Sequence, residues 1–125
     1  VMTKFNLYEM HFVKKQYKEA EAAFKNFIKN NKEIPQSTVT LVQYKILICA
    51  LKQDDKEHAK SILDQFDFLD DEPLFYYGNA AINFQKDDIN EANSWLIAAS
   101  RIYKPEVNNL YKDSLIEAGW IENIE

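Results

Sequence analysis

The chain has 125 residues, 46% of them apolar and 14% aromatic, which is enough for one domain with a core of its own. Two glycines and three prolines are too few for the tight turns of hairpins and phosphate-cradling loops, so most all-β and nucleotide-loop folds are excluded. A net charge of -5 argues against a general nucleic-acid binder, because neutralising a phosphate backbone needs clustered Lys and Arg without competing acids.

Apolar periodicity and punctuation predict seven helices, near 3–15, 18–30, 37–52, 56–68, 72–86, 89–103 and 106–118. The first is joined to the second by Lys15-Gln16, and the second presents Ala20, Phe24, Phe27 and Ile28 on one face. After a long link, Asn30 to Gln36, the segment Pro35-Gln36-Ser37 starts the third helix. That helix is apolar almost all round (Leu41, Val42, Tyr44, Ile46, Leu47, Ile48, Cys49, Ala50, Leu51), as expected of a helix covered on both sides. Gln53-Asp54-Asp55 leads to the fourth, with Ala59, Ile62, Leu63 and Phe66 on one stripe. Asp54 with Glu57, and Asp88 with Glu91, have capping-pair spacing at the starts of the fourth and sixth helices. Asp70-Asp71-Glu72-Pro73 introduces the fifth helix, and Lys86-Asp87-Asp88 separates it from the sixth, whose stripe is Ala92, Trp95, Leu96 and Ala99. The seventh follows Lys104-Pro105, carries Val107, Leu110, Tyr111 and Leu115 on one stripe, and is expected to end at Gly119 in a left-handed cap with Trp120 folded back on Leu115. It reads as the cap of a stack. The start lacks an equivalent cap, which is the expectation for a piece cut from a longer chain.

Ala20, Ala59 and Ala92 each open one pattern, at intervals of 39 and 33 residues: a bulky apolar residue four positions on (Phe24, Leu63, Leu96) and an apolar one at seven (Phe27, Phe66, Ala99). Helix-turn-helix repeats of this length stack into solenoids. The residues resemble the tetratricopeptide repeat, in three degenerate copies over nearly the whole chain: Leu7, Tyr17, Ala20 and Phe24; Ile46, Ala50, Ala59, Leu63 and Pro73; and Tyr76, Ala80, Ala92, Leu96, Ala99 and Pro105. Tyr8 and Leu47 depart from the pattern by standing where the family prefers a small residue, which predicts wider spacing within those pairs. A different α-solenoid with units of similar length is the structural alternative.

The resemblance implies an all-α fold, a right-handed α-solenoid of three antiparallel helix pairs with a seventh capping helix. The chain is then a single domain, 1–125, with repeats at about 2–34, 36–70 and 72–104 and the cap at about 106–118. It also implies a concave groove lined by the first helix of each pair. On this chain those positions are Met2, Phe5, Glu9, Phe12 and Val13, then Leu41, Tyr44, Ile48, Leu51 and Lys52, then Leu74, Tyr77, Ala81, Phe84 and Gln85. The carboxylate clamp of one subgroup, which takes acidic chaperone tails, fails here, because its positions hold Phe5, Glu9, Lys45, Leu74 and Gly78. The apolar groove is more similar to the repeat chaperones of bacterial secretion systems. The implied function is a protein–protein interaction module (scaffold, adaptor or chaperone-like) binding a partner segment in the groove. The alternative is a structural or self-assembly module whose groove is filled by its own parent chain or another copy.

The remaining residues point to no chemistry. His11 and His58 lie on separate helices without a second ligand at i+3 or i+4, and Asp64, Asp67, Asp70, Asp71 and Glu72 lack the turn glycine of a calcium loop. No nucleophile has a neighbouring base, so neither an enzyme nor a metal or other cofactor is expected. Cys49, the single cysteine, is expected in the core, and a reducing, cytoplasmic setting fits it. No apolar run is long enough for membrane insertion. Lysine is concentrated in residues 1–32 and acid in 54–72, which is consistent with solvated faces and with a monomer or a weak, salt-sensitive homo-oligomer.

Overall fold

The computed structural model describes residues 10–122, the side chain of Phe68 excepted, and among them every regular element is a helix. Helical residues 10–13 are labelled α1; α2 is Tyr17–Asn30, α3 Gln36–Lys52, α4 Lys56–Leu63, α5 Pro73–Gln85, α6 Ile89–Ile102 and α7 Pro105–Glu117, with a short 3₁₀ turn at Phe68–Asp70. The chain is therefore all-α. Predicted residues 3–9 of the first helix lie outside the described residues.

One turn joins consecutive helices at three places. Lys15, Asp54 and Asp87 take left-handed backbone angles (φ 62°, 61° and 63°). At each, the amide bonds back three residues and the next amide bonds back five: Lys15 to Phe12 and Gln16 to His11, Asp54 to Leu51 and Asp55 to Ala50, Asp87 to Phe84 and Asp88 to Asn83. This pairing satisfies the last carbonyls of one helix and reverses the chain within two residues. Gly119 (φ 86°) repeats it at the end of α7, its amide reaching Ile116 and that of Trp120 reaching Leu115, as the sequence predicts. The capping role expected of Asp54 falls instead to Asp55, whose carboxylate accepts the His58 amide at 3.2 Å, because Asp54 is needed at the left-handed position. Asp88 caps α6 by accepting the Glu91 amide at 3.3 Å.

The fourth helix is shorter than predicted, ending at Leu63 and not at 68. Asp67 competes for the backbone: its carboxylate accepts the Leu69 amide at 2.8 Å, while its own amide donates to the Asp70 carboxylate at 2.8 Å. Such local bonds offer the chain a turn in place of helix.

Ala20, Ala59 and Ala92 are all fully buried, so the recurring small residue marks close helix contacts. Sequence neighbours pack on one another throughout, α2 on α3, α3 on α4, α4 on α5 and α5 on α6, and α3 also packs on α5. From Thr40 to Leu51 every α3 residue except Gln43 is buried, which accounts for its all-round apolar sequence. Leu47 is accommodated by a glycine on the facing helix: a Cβ at Gly78 would stand 3.3 Å from Leu47 Cδ1 and 3.0 Å from Leu63 Cδ1. Between α5 and α6, Phe75, Tyr76, Trp95 and Tyr103 form an edge-on aromatic cluster with ring centroids 5.2–6.1 Å apart.

Candidate functional site

Tyr44 on α3 and Tyr77 on α5 are both completely buried, and what buries them is α7. The Tyr111 ring lies against both, with centroids 4.8 Å from Tyr44 and 5.4 Å from Tyr77. Each phenol tip is satisfied by the same helix: the Tyr44 hydroxyl donates to the Tyr111 carbonyl at 2.9 Å, and the Tyr77 hydroxyl donates to Asn108 Oδ1 at 2.5 Å. Asn108 Nδ2 in turn donates to the carbonyls of Tyr103 and Lys104, so the start of α7 is tied to its own approach segment.

Toward the other end of α7, buried Lys45 donates to Ser114 Oγ at 2.8 Å and places its ammonium 5.1 Å from the centre of the Phe12 ring. Lys15 Nζ donates to the Glu117 carbonyl at 3.1 Å. Trp120 stacks on Phe84 and lies under the Lys52 ammonium, 4.3 Å from its ring centre. The seventh helix thus receives side chains from α3, from α5 and from the turn at Lys15, and it covers Tyr44 and Tyr77, two of the residues that the sequence assigns to a groove.

The predicted groove residues divide accordingly. Phe5 and Glu9 lie outside the described residues, as does Met2. Phe12, Leu41, Tyr44, Ile48, Leu51, Leu74, Tyr77, Ala81 and Phe84 are brought together but buried. Lys52 and Gln85 are half-buried, and Val13 is 52% exposed. The stripe expected on α7 is rotated: Leu110 is 50% exposed and Val107 half-buried, while Asn108, Tyr111, Ser114 and Leu115 face inward. Apolar pattern misses this face because two of its buried members are polar, and they are tolerated there because each is hydrogen-bonded.

Burial pushes the hydroxyls of Tyr44 and Tyr77 above the ordinary tyrosine range; for Tyr44 the neighbouring Tyr77, Tyr111 and Glu117 act in the same direction. Tyr111 is raised too, first by burial and then by Glu72 and Tyr103. These groups stay protonated and act as hydrogen-bonding, stacking elements.

An open cleft lies beside these residues and shares only Leu41 with the predicted groove. Its volume of about 330 Å³ lies between the starts of α3, α5 and α7, lined by Leu41, Glu72, Pro73, Val107, Leu110 and Tyr111 among others. The Glu72 carboxyl at its edge is held above the usual range by burial and by Asp71 and Asp70.

The histidines stay apart from any such cluster. His11 Nδ1 is 2.8 Å from Gln16 Oε1, and His58 lies on α4. Cys49 is buried in the core and takes part in no disulfide. Among the described residues no group of three or more His, Cys, Asp or Glu side chains converges, and no helix is long and apolar enough to cross a membrane. Comparison with protein-family models, with curated proteins and with solved structures returns no match.

Proposed function

We propose that the chain is a tetratricopeptide-like protein–protein interaction module, a right-handed α-solenoid of three helix pairs whose inner groove is filled by its own seventh helix. The observation that carries the reading is the seating of α7 on Tyr44 and Tyr77 through Tyr111 and Asn108. The thrice-used turn at Lys15, Asp54 and Asp87 supports the repeat assignment, since one local geometry recurs at the repeat interval. With the groove occupied, the aromatic residues expected to anchor a partner serve as the seat of the cap, and the module is a preformed scaffold. A partner segment docks in the remaining cleft, where Leu41, Pro73, Val107 and half-exposed Leu110 offer apolar contacts beside Glu72. The role is binding, and the compartment favoured is the cytoplasm.

The test is photo-crosslinking in the source cell from a benzoylphenylalanine placed at Leu110, with Ile97 on α6 as the control position. An adduct specific to Leu110, whose partner then loses affinity about tenfold or more for the Leu110→Asp variant, supports the reading. No adduct at Leu110, or an equal one at Ile97, overturns it.

A further inference from the structure

A second pocket opens on a different part of the molecule, where the end of α3 meets α4 and the end of α5. Its volume is about 280 Å³. Leu51, Leu63 and Ile82 give it an apolar lining, and the exposed lysines Lys56, Lys60 and Lys86 stand around it. Of the three, Lys60 is engaged only loosely, 3.4 Å from Asp64 in a pair open to solvent on both sides. A site of this chemistry takes one apolar side chain carried between carboxylates.

The chain itself presents such a group. Leu69 is 77% exposed, standing out on the 3₁₀ turn Phe68–Asp70 between Asp67 on one side and Asp70 and Asp71 on the other. The turn is held in shape by the reciprocal bonds of Asp67 and Asp70, and Asp71 then leaves it with φ 54°, so the leucine is presented on a fixed knob. Fixing the knob in advance lowers the ordering cost of docking it.

We infer that Leu69 of one copy plugs the lysine-ringed pocket of a second copy, with Asp67, Asp70 and Asp71 facing Lys56, Lys60 and Lys86. The leucine contributes the apolar contact and the carboxylates steer and orient it. In a two-fold pair the contact is made twice. Two such contacts remain small beside the roughly 1,000 Å² of a durable interface, so the association is reversible, concentration-dependent and weakened by salt. Neither the knob nor the lysines line the cleft assigned to a partner segment, so this contact stands or falls independently of that reading.

Sedimentation of the full chain at rising concentration tests it, at low salt and again at about 0.5 M, where screening is nearly complete over a few ångströms. The wild type is expected to self-associate at low salt. Leu69→Asp, and separately Lys60→Glu with Lys86→Glu, are expected to weaken this about tenfold or more, the scale set by one buried leucine. All three positions are exposed, and an unchanged circular dichroism spectrum separates lost docking from lost fold. Mixing the two variants supplies one intact knob and one intact pocket, and a complex with one molecule of each should return. A monomeric wild type overturns the inference and leaves the pocket to a foreign acidic segment. So does self-association indifferent to Leu69→Asp, or a mixture that fails to pair.

Discussion

Tyr77 and Asn108 are sensitive positions in energetic terms, because each buries a polar atom whose partner sits on another helix. Tyr77→Phe leaves the Asn108 carbonyl oxygen buried without its donor, and the expected loss is about 1–3 kcal/mol, read as a lower urea midpoint at unchanged slope. Gly119 is a different kind of requirement. At φ 86° an alanine pays the left-handed penalty of about 1–2 kcal/mol, while a Cβ there meets only Lys15 Nζ, at 3.7 Å, so space is not the obstacle. Gly119→Ala should therefore destabilise through the backbone and loosen Trp120 from Phe84, with a red shift of tryptophan emission as the readout. Both residues show how unevenly sequence discloses structure. The glycine cap was legible, since a glycine after a periodic run has one common use, whereas nothing in the spacing of Asn108 distinguishes a buried amide from a solvated one.

At the scale of helices, what sequence reveals depends on where the competing bonds come from. The apolar wrap of α3 and the alanine stripes of α2, α4 and α6 were readable because one periodic face meets one neighbour. The early end of α4 was not, because Asp67 and Asp70 bond to each other's backbone in a turn that apolar spacing does not encode. Nor was the fit of Leu47 against Gly78, which pairs residues on two helices and belongs to neither alone. The same partition governs the candidate site: the apolar pattern marks Tyr44 and Tyr77 but not the helix that covers them, since the inward face of α7 is half polar. Gly78 supplies the sharpest test of helix packing. A valine there adds methyl groups where the first carbon already lies within 3.0 Å of Leu63 Cδ1, and the expected cost is about 1–3 kcal/mol of overpacking. Thermal unfolding monitored by circular dichroism should show the loss, and Leu63→Ala in the same chain should recover part of it by making room.

For the whole molecule, the three buried tyrosines couple stability to alkaline pH. Burial raises their hydroxyls above the ordinary tyrosine value of about 10, so the folded state holds these protons more tightly than the unfolded chain does. The contribution is fully present below about pH 10 and is lost as pH rises through the higher folded values, because there the unfolded state sheds protons that the folded state keeps. Urea midpoints should therefore hold steady from about pH 7 to about pH 9 and fall steeply above about pH 10. Tyr111→Phe should flatten that fall; an unchanged profile in this variant would mean that the phenol titrates alike in both states.

The seating of α7 also orders events in time. Its bonds join residues far apart along the chain: 102 positions separate Lys15 from Glu117, 69 separate Lys45 from Ser114 and 67 separate Tyr44 from Tyr111. The turns at Lys15, Asp54 and Asp87, by contrast, close over three to five residues. Local closures form early and distant ones late, because loop-closure entropy must be met before a remote contact returns anything. The helix pairs should thus assemble first and α7 should dock after the rate-limiting step. Removing a docking group then accelerates escape without slowing arrival. In stopped-flow experiments Tyr111→Ala should raise the unfolding rate by nearly the whole of its stability loss and leave the refolding rate almost unchanged, whereas Ala59→Gly, inside the second helix pair, should slow refolding.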